Sequence, residues 1–195
     1  WFGFNAGSAL SAGQSAGNAM LVTHLSASTA ALVWMGIEWA KFGRPGLVGT
    51  VTGLVAGLAT ITPAAGSVGP LGAVIIGAVA SLVCYYAVSF IRNRLKIDDS
   101  LDVFAVHGVG GVLGTLIIPL LATVGPLAPG LGEVSMGQQA WVQVQGVLAV
   151  VAWSVVMTLV IVKAMGLVLR VRVKPEAETE GLDMHAHGER AYHSS

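Results

Sequence analysis

The residue most able to take part in proton chemistry is His107, which stands in the run Asp98-Asp-Ser-Leu-Asp-Val-Phe-Ala-Val-His-Gly-Val-Gly-Gly111. An imidazole changes its charge near neutral pH, so it can accept, donate or relay a proton. The run predicts a helix that starts beside the aspartates, with His107 about 10 Å inside it. Ionisable side chains at that depth in a membrane face a cavity or a partner. A structural histidine, bonded to a neighbouring helix, is the alternative.

The glycines and aspartates around His107 have structural explanations. Val103, His107 and the glycines that follow share a helical stripe that could line a narrow conduit. Gly110 and Gly114 also form the GxxxG spacing of closely packed helices, which is the interpretation we favour for them. The aspartates are expected to cap the helix and to complement its dipole, because nothing nearby completes an acid–base pair.

A second candidate group lies in the first residues, Trp1-Phe-Gly-Phe-Asn-Ala-Gly-Ser8. Phe4 and Ser8 are one helical turn apart, so both side chains can point into one vestibule. An aromatic face attracts cations, and a serine hydroxyl can accept a hydrogen bond from an ammonium-type donor. The alternative is an ordinary helix end in the interfacial belt of a membrane.

Enzyme chemistry is not indicated. The sequence has no Ser-His-Asp order, HExxH or CxxC pattern, and its single cysteine, Cys84, lies in an apolar run typical of a small core residue. The glycines after His107 do not follow a predicted strand and lack the GxGxxG spacing of a phosphate loop. We therefore expect no enzyme activity, no catalytic residues, no metal and no cofactor.

The composition indicates that these residues are carried by membrane-crossing helices. Of 195 residues, 54% are hydrophobic and only 10% are charged, and the mean hydropathy is +0.77. Soluble domains carry about 25% charged residues. A formal net charge of zero argues against a nucleic-acid partner held through its phosphates. The expected fold class is an all-α polytopic membrane helix bundle.

Turn residues divide the apolar sequence into segments, of which a complete span needs about 20 residues. We predict five complete spans and the end of a sixth, over residues 1–10, 18–42, 46–60, 70–92, 100–122 and 137–170. This gives a membrane domain over residues 1–170 and a polar tail over residues 171–195. Trp1 is expected to be an internal position of a longer protein, and no signal peptide is indicated.

Cationic residues orient the segments. All ten Lys and Arg residues lie in or beside the connections after the second, fourth and last segments, whereas the connections at 11–17, 61–69 and 123–136 contain none. By the positive-inside rule, these three connections face outward. The tail is then cytoplasmic, and the protein is expected in the cell (inner) membrane.

Several runs resemble the ammonium transporter family, which includes the Rhesus glycoproteins. They are Trp1–Ser8, Asp98–Gly111, Gly181-Leu-Asp and His187-Gly-Glu-Arg-Ala-Tyr192, with the shorter runs Gly36-Ile-Glu-Trp39 and Ile61-Thr-Pro-Ala64. The resemblance covers essentially the whole chain. It implies the second of two inverted five-helix repeats, with its first helix truncated, followed by the eleventh helix. It also implies a homotrimer with one pore per subunit.

The resemblance implies roles for individual residues. His107 matches the second of the family's twin pore histidines, and Val103 and Trp1 match pore-lining positions. Phe4 matches one phenylalanine of the outer gate, and Ser8 matches the serine that receives ammonium. The tail residues that match a segment bracing neighbouring subunits and docking PII-type signalling proteins are Gly181, Asp183, His187, Gly188, Glu189 and Tyr192.

The function implied is passage of ammonium or ammonia across a membrane through an apolar pore with a histidine. The first alternative is an ammonium sensor that binds through the same residues and signals through the tail. An ion-coupled secondary transporter ranks last, because it needs charged or broken helices at mid-depth and His107 is the only deep ionisable residue indicated. The implied partners are ammonium or ammonia, the lipid bilayer, further copies of the chain and a PII-type protein.

Overall fold

The computed structural model describes residues 1–189, which form two compact units, Trp1–Val147 and a second unit that begins at Leu148. Among the described residues, all regular structure is helical. Five helical segments in this part of the chain are long and apolar enough to cross a membrane. The protein is therefore an all-α polytopic membrane protein, as its composition predicted.

The first unit contains five helices and the start of a sixth. Their bounds are α1 Phe2–Gly7, α2 Gln14–Phe42, α3 Leu47–Ile61, α4 Pro70–Asn93, α5 Val109–Leu121 and α6 Met136–Val168. A 3-10 turn, Thr62–Ala64, extends α3, and a π-helical turn, Phe104–Gly108, leads directly into α5. α6 crosses the division between the units, and none of its residues is buried.

Two helices begin at positions that differ from the sequence expectation. α2 begins at Gln14 rather than near residue 18, because the small residues after Gln14 continue the helix and the extended Gly13 precedes it. The helical segment that carries His107 begins at Phe104 rather than near residue 100. Asp102 has a φ of +55°, a left-handed conformation that a right-handed helix cannot include.

The connections of the first unit lie at two ends that differ in charge. Its cationic end carries every Lys and Arg of this unit, in or beside the α2–α3 and α4–α5 connections: Lys41, Arg44, Arg92, Arg94 and Lys96. The other end, here called the cation-free end, contains the connections at residues 8–13, 62–69 and 122–135. The Asn18 amide of α2 donates to Val68 O across this second end, at 3.1 Å.

Small residues allow the helices of the first unit to approach closely. A Cβ atom at Gly110 or Gly114 of α5 would overlap Thr60 of α3, whereas one at Gly111 would meet nothing within 4 Å. The structure thus confirms the packing interpretation of the GxxxG spacing. Buried residues of the surrounding core include Val22, Ile61, Val68, Ile76, Cys84, Val106 and Ile118.

The second unit contains the rest of α6 and the described part of the tail. The tail forms a short helix, α7 Pro175–Glu180, and a π-helical turn, Asp183–His187. Arg172 donates two hydrogen bonds to the Glu178 carboxylate, Nε to Oε1 at 2.8 Å and Nη2 to Oε2 at 3.2 Å. These bonds hold the pKa of Glu178 below its usual value. The tail therefore has local order of its own.

We expect Gly114→Ala to destabilise the full-length protein by about 1–3 kcal/mol, because the added methyl group overlaps the Thr60 carbonyl. Gly111→Ala is the matched control on the same helix, and its methyl group meets open space. Thermal unfolding in detergent measures both. Equal melting temperatures for the two variants would contradict the close α3–α5 contact.

Candidate functional site

His107 lies on the π-helical turn before α5 and is exposed. The Asp99 carboxylate fixes the start of this turn by accepting hydrogen bonds from the N–H groups of Val103 and Phe104, both at 2.8 Å. This confirms the capping interpretation for one of the aspartates. His107 is three residues from Phe104, about 5 Å along the helix rather than the expected 10 Å.

The open stripe of this segment runs through Val103, His107 and Gly111. Val103 and His107 are one turn apart and both exposed, and a side chain at Gly111 would meet no neighbour. Gly114 is turned toward α3 instead. The exposed stripe that could line a conduit therefore does not include Gly110 and Gly114, which pack against α3.

Trp1 lies beside the His107 ring. The two ring centroids are 6.1 Å apart and the planes are inclined by 18°, which is an offset stacked arrangement. Trp1 Nε1 donates to Thr62 Oγ1 at 2.6 Å, and Thr62 Oγ1 donates to Leu58 O at 2.8 Å. The end of α3 thus orients Trp1. Sequence reasoning missed Thr62, although it lies in the Ile61-Thr-Pro-Ala64 run.

Phe4 and Ser8 line one cavity of about 340 Å³ at the cation-free end, as their spacing predicted. The Phe4 side chain is exposed, and Ser8 Oγ donates to Phe4 O at 2.7 Å. Because that bond uses the only hydrogen of the hydroxyl, the Ser8 oxygen presents its lone pairs as acceptors. Further polar residues that line the cavity are Asn5, Ser15, Thr62 and Ser67.

The site residues named from the sequence thus form two groups. Phe4 and Ser8 share the cavity, while Trp1 contacts His107, which shares an exposed stripe with Val103. α1 links the groups, because Trp1 directly precedes it and Phe4 lies within it.

A buried polar pair attaches α1 to α2, and sequence reasoning missed it. Asn5 Nδ2 donates to Thr23 Oγ1 at 2.9 Å, and Thr23 Oγ1 donates to Ala19 O at 2.6 Å. Asn5 is 6% exposed and Thr23 is fully buried. A buried amide in a membrane-crossing bundle requires such a partner, so this pair fixes the position of the short helix.

His24 is a second histidine on a membrane-crossing helix. It lies ten residues after Gln14, the first residue of α2, which is about 15 Å along the helix. Its ring centroid is 6.1 Å from that of Phe2, with the planes inclined by 44°. The expectation that His107 is the only deep ionisable residue is therefore wrong.

Asp102 pairs with Arg92 at the cationic end. Arg92 Nε lies 2.7 Å from Asp102 Oδ1, and Arg92 Nη2 donates to Ser100 O at 2.9 Å. Burial raises the pKa of the Asp102 carboxyl above its usual 3.8, and the attraction of Arg92 offsets this only in part. Arg92 thus contacts both Ser100 and Asp102 of the loop that precedes the His107 segment.

The described tail residues lie in the second unit. Gly181 has a φ of +103° and Gly188 a φ of +67°, conformations that favour glycine. The Glu189 N–H donates to Asp183 O at 3.2 Å and closes the turn that contains His187. Tyr192 lies outside the described residues. Within residues 1–189, no three His, Cys, Asp or Glu side chains are grouped as a metal site.

Taken together, the helices and the cavity define an integral membrane protein with a polar recess lined by an aromatic ring and hydroxyl groups. The sequence profile of the Ammonium Transporter Family matches residues 1–192. The chain belongs to this family, whose members are transporters rather than enzymes.

Its relatives agree with this assignment. The chain is 45% identical to the ammonium transporter Amt1 of Archaeoglobus fulgidus, over 98% of this chain and 49% of that protein. It is 44% identical to an ammonium transporter of Aquifex aeolicus, over 98% of this chain and 45% of that protein. The chain thus spans about half the length of the curated relatives it matches.

Solved structures show the same fold. A protein described as a sensor Amt protein superposes with a TM-score of 0.84 and 33% identity, over 96% of this chain and 46% of that one. Mep2 of Saccharomyces cerevisiae superposes with a TM-score of 0.79 and 33% identity, over 90% of this chain and 42% of that one.

We expect Asp99→Ala to cost about 1 kcal/mol of stability, because two N–H groups at the start of the His107 segment lose their acceptor. Asp98→Ala is the control, since the Asp98 carboxylate accepts only from the exposed Ser100 hydroxyl among the described residues. Thermal unfolding of both variants measures the difference. If Asp98→Ala is as destabilising as Asp99→Ala, the cap is not specific to Asp99.

Asp102→Asn should change the pH dependence of stability. The pKa of Asp102 is higher in the folded protein than in the unfolded chain, so the protonated carboxyl favours folding. This contribution to the free energy of unfolding is complete below about pH 3.8, and it is lost as the pH rises through the pKa of the folded state. The melting temperature of wild type should therefore fall relative to Asp102→Asn as the pH rises from about 4 to 7. The opposite trend would mean that the Arg92 ion pair outweighs burial.

Proposed function

We propose that this chain forms part of a protein that carries ammonium or ammonia across a membrane. The observation that carries the proposal is the cavity shared by Phe4 and Ser8. A phenyl face attracts a cation, and the Ser8 oxygen, whose hydrogen is used on Phe4 O, can accept from an N–H donor. Membership of the ammonium transporter family supports the same substrate.

The proposed path continues past Trp1, Val103 and His107. A bare cation in an apolar passage has a large desolvation penalty, and loss of a proton removes most of it. The His107 imidazole can accept and relay that proton, while neutral ammonia passes along the open stripe. Potassium has no proton to lose, so the same penalty rejects it.

Residues 1–170 are proposed as the second inverted repeat, with its first helix truncated, together with the eleventh helix. Residues 171–195 are then a cytoplasmic tail. The segregation of Lys and Arg to one end of the first unit supports this orientation. A homotrimer, and a PII-type protein that docks on the tail, complete the proposed assembly.

Ammonium sensing is the second candidate function. The similarity to the sensor Amt protein, with a TM-score of 0.84, supports it. A sensor would use the same cavity for binding and would not need to move the substrate. Flux therefore distinguishes the two functions, whereas binding does not.

The test is an ammonium pulse on the full-length protein in liposomes, with internal pH and charge movement as readouts. We expect His107→Ala to abolish the response or its selectivity over potassium, because the proton acceptor is lost. His24→Ala is the matched control, since His24 also lies on a membrane-crossing helix and its ring pairs with Phe2, whereas the His107 ring is stacked on Trp1.

Loss of folding in His107→Ala, with unchanged selectivity in the fraction that does fold, would make His107 a structural residue. A properly inserted wild-type protein that gives no response would favour the sensor.

A further inference from the structure

The three glycines of α5 differ in what surrounds them. A Cβ atom at Gly110 would lie 2.7 Å from Thr60 Oγ1, and one at Gly114 would lie 2.9 Å from Pro63 Cγ. Both positions therefore need glycine for close packing. Gly111 has no such requirement, because a Cβ atom there would meet nothing within 4 Å. Its φ is not positive either, so its backbone conformation does not call for glycine.

Glycine at position 111 lowers the stability of α5 without a gain in packing among the described residues. Inside a helix, glycine is less favourable than alanine because it loses more backbone freedom on folding. Gly111 lies within Val109–Leu121 and follows the π-helical turn, so it is not a helix end where this cost is small. The open space beside Gly111 therefore needs an explanation other than the fold.

Two polar side chains border this space along the helix. His107 is one turn before Gly111 and is exposed, and Thr115 is one turn after it and is half-buried. Thr115 Oγ1 donates to Gly111 O at 2.9 Å, which fixes the hydroxyl group and leaves its lone pairs as acceptors. A neutral imidazole also has one acceptor nitrogen. The space thus lies between two groups that can each accept a hydrogen bond from an N–H group.

We propose that the absence of a side chain at Gly111 sets the size limit for the amines that pass His107. The inference rests on the proposed function, and it concerns which small amines can follow the open stripe. Ammonium carries only hydrogen on its nitrogen, whereas methylammonium carries one methyl group in addition. A methyl group added to the protein at position 111 takes up the space that the larger amine needs, so it excludes methylammonium more strongly than ammonium.

Three variants separate the size of this space from the stability of the helix. Gly111→Ala adds one methyl group that meets no neighbour. Gly146→Ala is the matched control, because Gly146 also lies inside a membrane-crossing helix, α6, and a Cβ atom there meets nothing within 4 Å. Both replacements have the same effect on helix propensity. Thr115→Ala does the opposite of Gly111→Ala, since it removes side-chain atoms next to the space.

The experiment measures the initial rates of ammonium and methylammonium uptake by the full-length protein in liposomes. We expect Gly111→Ala to lower the ratio of methylammonium to ammonium uptake about tenfold, which is the discrimination that one methyl group gives in a closely fitting site. Gly146→Ala should keep this ratio within about twofold of wild type. Thr115→Ala should keep the wild-type ratio or raise it.

An unchanged ratio in folded Gly111→Ala overturns the proposal. Failure of Gly111→Ala to fold also overturns it, because the space would then be filled by another part of the full-length protein. A tenfold fall in Thr115→Ala has the same meaning, since the removal of atoms cannot narrow a passage. Failure of the proposed function gives a different result: the wild-type protein would take up neither amine, and the size limit would be rejected with transport itself.

Discussion

Among the described residues, seven hydroxyl groups donate to the carbonyl four residues earlier, and the candidate site depends on three of them. These three belong to Ser8, Thr23 and Thr62. Water is scarce in a membrane-crossing bundle, so a hydroxyl group donates its hydrogen to a backbone carbonyl of its own helix. Each oxygen is then left as an acceptor. Thr23 accepts from Asn5, Thr62 accepts from Trp1, and Ser8 faces the cavity.

These bonds position α1, which is too short to be stable as an isolated helix. α1 has six residues, fewer than an isolated helix needs for stability. Asn5 ties it to α2 and Trp1 ties it to the end of α3. The close contact of α3 with α5 at Thr60 and the GxxxG glycines then determines where Trp1 lies relative to His107. A packing contact between helices thus controls the geometry of the Trp1–His107 pair.

Much of the fold, and the pairing of Phe4 with Ser8, could be predicted because both depend on local sequence. Hydropathy gave the membrane-crossing helices, and the spacing of one helical turn placed the phenyl ring and the hydroxyl together. The hydrogen bond from Trp1 to Thr62 joins residues that are 61 positions apart, so no local sequence pattern predicts it. The depth of His107 was misjudged because the left-handed conformation of Asp102, which delays the helix, leaves no clear sequence signal.

The cavity proposed as the ligand site has no fixed charge. Among its described lining residues there is no Asp, Glu, Lys or Arg, and its polar groups are hydroxyls and one amide. A carboxylate would hold a cation strongly even after desolvation, and would slow its release. Neutral acceptors and a ring bind an N–H cation more weakly, and most of that attraction disappears once the ligand loses its proton. In the proposed function, ammonium loses a proton and becomes neutral ammonia. This one step weakens the attraction of the ligand to the cavity and also allows it to enter the apolar path.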